Sequence, residues 1–329
     1  MGYQIRRVID AGLADSSFLC EMEKAAIALA RVDERLRRSE PLVQRGLLAR
    51  TLYREAQGLV GLSGKLIHLV DLVLFDLDTN VQMSSDASAL GRKYLAQLRR
   101  LARVNPPSLI SAEEISEITG LPFVDVSTTT EDREADELDD AILAFEQLSS
   151  EANPQIGLWY KEVERLPVVL GALVLLDGWL WCEDSPKTEI GPLLCSGYLR
   201  AQQFTRLFPP VAQGLWNSKT RWERDAPPAR RLLSLARNLE RSACLAMADL
   251  DRTVLARASM NRHTEESSRS ESLKALIDLF IEIPAVTTEV AAKRLSVSPQ
   301  AVLQLMKRLG NARPPELTGR TRYRAWGVI

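Results

Sequence analysis

Histidine is scarce in this chain of 329 residues: there are two, His68 and His263. A mechanism built on a histidine base has only these two to draw on, and a zinc site has little to work with. The four cysteines, Cys20, Cys182, Cys195 and Cys244, form no CxxC pair, so neither a metal nor a disulfide framework is expected and they read as small buried hydrophobes. No apolar run reaches the roughly 20 residues of a bilayer span. The longest, residues 166–181, is broken by Gly171, Asp177 and Gly178. The N-terminus lacks the apolar core of a signal peptide, and Arg6 stands where a myristoylation signal needs a small residue. No GxGxxG, P-loop or GxSxG motif occurs. These absences point to a cytoplasmic protein that needs no cofactor and has no membrane partner.

Net charge is also nearly absent: 42 Lys and Arg stand against 43 Asp and Glu, a total of -1. The distribution is uneven. From Pro284 to Ile329 eight basic residues face two acidic ones, so this end carries +6 and everything before it −7. A basic end on an acidic body is the footprint of a polyanion-binding module.

What is present is helical periodicity. Ala26, Leu29, Ala30, Val32 and Leu36 share one face. Further helices are expected over residues 42–62, from Ser84 or Ser85 to Arg103, from Ser111 onward, over 138–148, 166–181 and 190–207, and over 227–262 as one long helix or two with a break. The segment 66–75 fits a short buried helix with His68 and Asp71 on its polar edge. Segment 127–137 is polar and acidic and reads as a linker; residues 261–270 read as another. The fold class is therefore mainly α: a multi-helix body plus a C-terminal helix-turn-helix with a small β-hairpin. The expected divisions are an N-terminal helical region (1–130), a central helical region of the same body (131–262) and a DNA-binding domain (270–329).

The C-terminal pattern is the most specific. Leu273, Leu276, Ile277 and Phe280 form the apolar face of one helix, and Thr287 or Thr288 caps a second that turns Val290, Ala291 and Leu295 inward. Ser296-Val297-Ser298 is a three-residue turn, with a serine where glycine is usual. Ser298 then caps a third helix, with Pro299 at its first position. That helix, residues 299–309, buries Val302, Leu305, Met306 and Leu309 and exposes Gln300, Ala301, Gln304, Lys307 and Arg308. Residues 316–326 follow as a basic hairpin turning near Gly319 and Arg320. This resembles a winged helix-turn-helix over about 60 residues. The resemblance implies double-stranded DNA as partner, residues 299–309 as recognition helix and the hairpin as wing. Its expected contacts are Ser298, Gln300, Ala301, Gln304, Lys307, Arg308, Arg320, Arg322 and Arg324. A winged helix used for protein contact is the other reading.

Two further resemblances concern the body. Leu29-Ala30-Arg31-Val32-Asp33-Glu34-Arg35-Leu36, His68-Leu69-Val70-Asp71-Leu72-Val73-Leu74 and the ending from Leu317 to Gly327 resemble a bacterial family of unknown function with a C-terminal helix-turn-helix. The layout is also similar to Fic proteins, which transfer AMP from ATP to a protein hydroxyl. With the Fic loop aligned on Gly191, Trp181 takes the place of its histidine base, Glu189 and Pro192 those of its arginines, and Pro186-Lys187-Thr188 that of Gly-Asn-Gly. An acid beside phosphates repels them, so no catalytic residue carries over and a degenerate Fic-like scaffold is implied. Glu183, Asp184 and Glu189 read as a solvated loop, and Trp179 and Trp181 as core packing. The expectation is a DNA-binding transcriptional regulator and not an enzyme: a homodimer, with the helix of residues 227–262 as interface and a small-molecule or protein effector on the body. A Fic-like transferase with a divergent loop and an antitoxin-like interaction module are the alternatives.

Overall fold

The computed structural model describes residues 3–77, 85–120, 155–182, 189–265, 270–318 and 324–329. The expected linker at 127–137, the helix at 138–148, Ser84, the loop at 183–188 and the wing tip lie outside them. The elements run α1 (Ile5–Leu13), α2 (Ser16–Arg38), α3 (Pro41–Leu62), α4 (Leu69–Asp76), α5 (Asp86–Arg103), a 3-10 turn (Pro106–Ile110), α6 (Ala112–Thr119), α7 (Gln155–Val163), α8 (Val168–Trp181), α9 (Ile190–Ala201), α10 (Val211–Trp216), α11 (Pro228–Glu265), α12 (Glu271–Glu282), β1 (Ala285–Thr287), α13 (Thr288–Leu295), α14 (Pro299–Arg308) and β2 (Ala325–Gly327). The one sheet among the described residues is antiparallel and two-stranded. The fold is mainly α, with a small antiparallel element in the C-terminal helix-turn-helix region.

The chain divides into two units. The first comprises Met1–Ile27, Arg103–Arg206 and Ser218–Glu240. Its centre is α8, buried at every residue from Val169 to Trp179. Each leucine shut away there contributes about 1.5–3 kcal/mol. The helix packs on α9, where Tyr198 lies against Gly171 and donates to the carbonyl of Val163 at 3.1 Å. Asp177 is the polar exception on α8. It is fully buried and accepts from Tyr3 (2.9 Å), from Trp222 Nε1 (2.7 Å) and from Arg231 Nη2 (2.8 Å). Burial, and then the Asp177 carboxylate, pushes the Tyr3 phenol well above its usual range. Trp179 is core, as expected; Trp181 is half-buried between the Tyr3 ring and the Arg224 guanidinium.

The second unit comprises Ala28–Ala102, Leu207–Asn217 and Arg241–Ile329. Its axis is α3, in which every residue from Arg50 to Val60 except Arg54 is buried. Glycines let backbones approach this helix. A Cβ on Gly46 would stand 2.1 Å from the carbonyl oxygen of Ile281, and one on Gly58 2.2 Å from the nitrogen of Gln213. Neither contact survives a larger residue, so α12 and α10 each sit directly on α3.

Several boundaries differ from the periodicity. The helix expected to reach Leu207 stops at Ala201, because Gln203 turns left-handed (φ 54°) and the Phe204 N–H bonds back to Leu199. No glycine marks that stop. The segment 227–262 is one continuous helix, and it runs on to Glu265, into the expected linker. Cys195 is buried, but Cys20 and Cys244 are exposed on the outer faces of α2 and α11, against the expectation of buried thiols.

Candidate nucleic-acid interface

The helix-turn-helix is built on α12, whose Leu273, Leu276, Ile277 and Phe280 are all buried. The C-terminus of α12 ends in carbonyls with no partner inside the helix. Arg50 of α3 answers them: its guanidinium donates to Phe280 (2.9 Å), Ile281 (2.7 Å) and Val328 (2.8 Å), and to Gly46 of its own helix (2.8 Å). Burial pushes Arg50 down to about 10, which leaves it charged at neutral pH. One cation thus fixes the first helix and the last residues of the chain to α3. Arg45 adds a bond to Glu282 at 2.9 Å.

β1 follows α12 and pairs with β2 in the register Ala285↔Gly327, Val286↔Trp326, Thr287↔Ala325. On the other side of β2, Glu316 bridges Trp326 and the Leu317 N–H donates to Ala325 at 2.8 Å. The expected arms of the hairpin are therefore paired. Thr287 is the cap of α13, accepting from Val290 N–H at 3.1 Å. Ser296 adopts the left-handed conformation (φ 54°), and the Val297 N–H bonds back to Ala292 at 3.1 Å. This is the sharp turn that the three-residue spacing implies, made by a serine at some steric cost.

Ser298 caps α14, its hydroxyl accepting from Ala301 N–H at 3.2 Å. α14 buries Val302, Leu305 and Met306, with Leu309 just beyond its end. Gln300, Gln304, Lys307 and Arg308 are exposed, and Ala301 is half-buried. Gln300, Gln304 and Lys307 lie one turn apart on a single face. Leu303 stands on that face too, 47% exposed. It was absent from the expected contacts, although it falls outside the buried 302/305/306/309 stripe. Arg308 also offers its carbonyl to His263 Nε2 at 3.1 Å, where α11 reaches the end of α14.

Of the three wing arginines, Arg320 and Arg322 lie outside the described residues. Arg324 is paired with Glu316 (Nε to Oε2, 2.8 Å) and sits 5.2 Å over the Trp326 ring. The Arg324 guanidinium holds the Glu316 carboxyl below the usual carboxylate range. The structure therefore gathers Gln300, Gln304, Lys307 and Arg308 on one surface, keeps Ser298 as a cap, and gives Arg324 a carboxylate partner. The Fic-like correspondence falls partly on the loop outside the described residues; of its ends, Trp181 closes α8 and Glu189 precedes α9.

Residues 273–329 match the family model of an HTH DNA binding domain. Residues 157–265 match a family described as a protein of unknown function, DUF1612. The chain is 27% identical to the uncharacterized protein y4cF of Sinorhizobium fredii (strain NBRC 101917 / NGR234), across 100% of both chains. These matches agree with the resemblance read from the sequence, a bacterial family of unknown function ending in a helix-turn-helix. No helix among the described residues is long and apolar enough to cross a membrane.

Proposed function

We propose that this chain is a sequence-specific DNA-binding protein that acts as a transcriptional regulator, with residues 270–329 as a winged helix-turn-helix. The carrying observation is the division of α14: Val302, Leu305 and Met306 are buried, while Gln300, Gln304 and Lys307 stand exposed within a segment that matches an HTH DNA binding domain. α14 enters the major groove, where Gln300 and Gln304 meet the N6/N7 edge of adenine. Lys307, Arg308, Arg320 and Arg322 neutralise phosphates. Arg324, held by Glu316, shapes the wing more than it adds free charge. One such module reads about one half-site, so the protein works as a homodimer. On α11, Cys244, Ala248, Leu255 and Ala258 lie along one exposed side, with Asp251, paired with Arg35, at the intervening position, and Leu255 is 68% exposed. The body takes an effector that modulates DNA binding.

The test is selection of bound sequences from a random duplex library, followed by anisotropy titrations of the full chain. Gln304→Ala should relax discrimination at one base pair by about 1–3 kcal/mol. Arg322→Ala should weaken binding to every sequence and lower the salt slope by about 0.9 per lost phosphate contact. Absence of binding to any duplex at low salt would end the proposal.

A further inference from the structure

The first unit contains a cleft of about 250 Å³ formed by residues of the segment 219–237. One wall is the stretch before α11. Lys219, Thr220, Arg221 and Glu223 line the cleft there, the three charged residues exposed and Thr220 half-buried. The other wall is α11, whose Arg230, Ser234 and Arg237 follow one another at helical spacing. Both walls are anchored below: Trp222 from the first and Arg231 from the second bond to the buried Asp177. The cleft thus has a fixed floor, and its charged rim is not a set of independent surface side chains.

Its charge is one-sided. Five cations line it, Lys219, Arg221, Arg230, Arg231 and Arg237, against the single acid Glu223. Two of the five are already answered, Arg231 by Asp177 at 2.8 Å and Arg237 by Glu21 at 3.8 Å. Lys219, Arg221 and Arg230 have no ion pair among the described residues, whereas surface arginines elsewhere do, as Arg6 with Glu162 and Arg35 with Asp251. α11 adds the positive end of a 38-residue helix whose first turn holds no acid. Three unanswered cations against one carboxylate leave a site short of about two negative charges, and two arginine forks suit tetrahedral oxygens.

We propose that this cleft binds a small phosphate monoester. Such a group carries about −1.5 to −2 at neutral pH, which matches the deficit. The volume lies below the roughly 300–1,000 Å³ of ordinary ligand pockets, so the rest of the molecule is no larger than a sugar. A concave site of this size suits a small ligand better than a nucleic-acid backbone, which would lie across its mouth. The inference gives chemical form to the effector in the functional proposal, but its test reads phosphate binding and does not depend on DNA binding.

The experiment is calorimetric titration of the full chain with inorganic phosphate, glucose 6-phosphate and, as a dicarboxylate of the same charge, succinate, at about 50 mM salt to limit screening. Both phosphates should bind one per chain, and succinate at least tenfold more weakly. Arg221→Gln/Arg230→Gln should lose at least tenfold in phosphate affinity with its unliganded thermal midpoint unchanged, since both side chains are exposed. Lys219→Gln, on the other wall, provides a second reading should the double variant fold poorly. The proposal is overturned by absence of saturable phosphate binding, by equal affinity in wild type and both variants, or by succinate binding as tightly as phosphate. It is equally overturned if phosphate is silent and the double variant instead loses affinity for random duplex DNA, which would make the cleft a backbone contact.

Discussion

Each of the two units buries an arginine, and the two are neutralised in different ways. In the first, Arg231 meets a side chain: Asp177 takes two of its N–H groups, and Tyr3 and Trp222 complete the carboxylate. In the second, Arg50 forms no ion pair among the described residues, although the Asp249 carboxylate favours its charge from nearby. The hydrogen-bond partners of Arg50 are backbone carbonyls: Phe280, Ile281 and Ile283 at the end of α12, Val328, and Gly46 of its own helix. A few residues along the same helix the arrangement is mirrored. Glu55, fully buried, accepts from the Ala212 N–H at 2.8 Å, at the start of α10. α3 therefore sets a cation on one helix C-terminus, in the sense the helix dipole favours, and a buried carboxyl that accepts from the backbone at one helix N-terminus. A side-chain pair can be replaced as a pair. A charge that satisfies backbone has no second residue to change with it, so it ties α3 to the path of the chain itself.

The largest effect is expected at Asp177. Asp177→Ala leaves Arg231 buried without its counter-charge, and breaking such a pair costs about 3–5 kcal/mol. Urea unfolding of the full chain measures it. Asp177→Leu combined with Arg231→Met should be more stable than Asp177→Ala alone, because the orphaned charge is gone. A double variant no better than the single one would mean that Tyr3 and Trp222, and not Arg231, are what Asp177 serves.

Arg50→Met should follow, with a loss of about 1–3 kcal/mol for carbonyls left buried and unanswered. Here no second-site side-chain change restores what was lost, and that asymmetry is the sharpest contrast with Asp177. Hydrogen exchange should show lost protection over Glu271–Glu282 and Ala325–Gly327, while Val168–Trp181 keeps its own. Uniform loss across both units would remove the distinction between the two arginines.

Glu55 sharpens the comparison through pH. Burial pushes its carboxyl up to about 8 from its ordinary 4.5, while the amides of Ala212 and Gln213 pull the other way. The folded state therefore holds a proton that the unfolded state releases. The stability this group contributes is fully present below about 4.5 and is lost as pH rises through about 8. At its steepest the loss is about 1.4 kcal/mol per pH unit. Glu55→Gln keeps an acceptor for Ala212 and should flatten that slope in denaturant midpoints measured between these limits. An unchanged slope would show that the amides at the start of α10 hold Glu55 ionised.

The two buried arginines also show what the sequence could reveal. The turn at Ser296, the caps Thr287 and Ser298, and the apolar stripe of α14 are local, each set by residues within a few positions of one another, and they were readable directly. So was the burial of α8, from a run that is apolar nearly all round the helix. Arg50 was not readable, since in a helix of mixed polarity nothing distinguishes an arginine that meets carbonyls some 230 residues away from one that meets water. β1 was missed because three residues are too short to show a period. The end of α9 was missed because its left-handed residue is a glutamine. The cleft around Arg221 and Arg230 escaped notice for a different reason: residues 219–237 hold six basic and two acidic residues, but charge summed over the whole body loses that local excess among the acids of the rest of the chain.

The smallest effect on stability should come from Leu303. At 47% exposure it has little to lose on becoming polar, and Leu303→Ser should stay within about 0.5 kcal/mol of wild type. Its effect on DNA should be larger than that. Leu303 lies one turn from Gln300 and from Lys307 on the exposed face of α14, where a leucine gives the thymine methyl an apolar neighbour that glutamine does not. Selected sequences for Leu303→Ser should lose preference at a thymine position while keeping the adenine positions assigned to Gln300 and Gln304. A variant with unchanged stability and unchanged sequence preference would instead place this face of α14 away from the bases, and leave the phosphate-binding cations as its only contribution to binding.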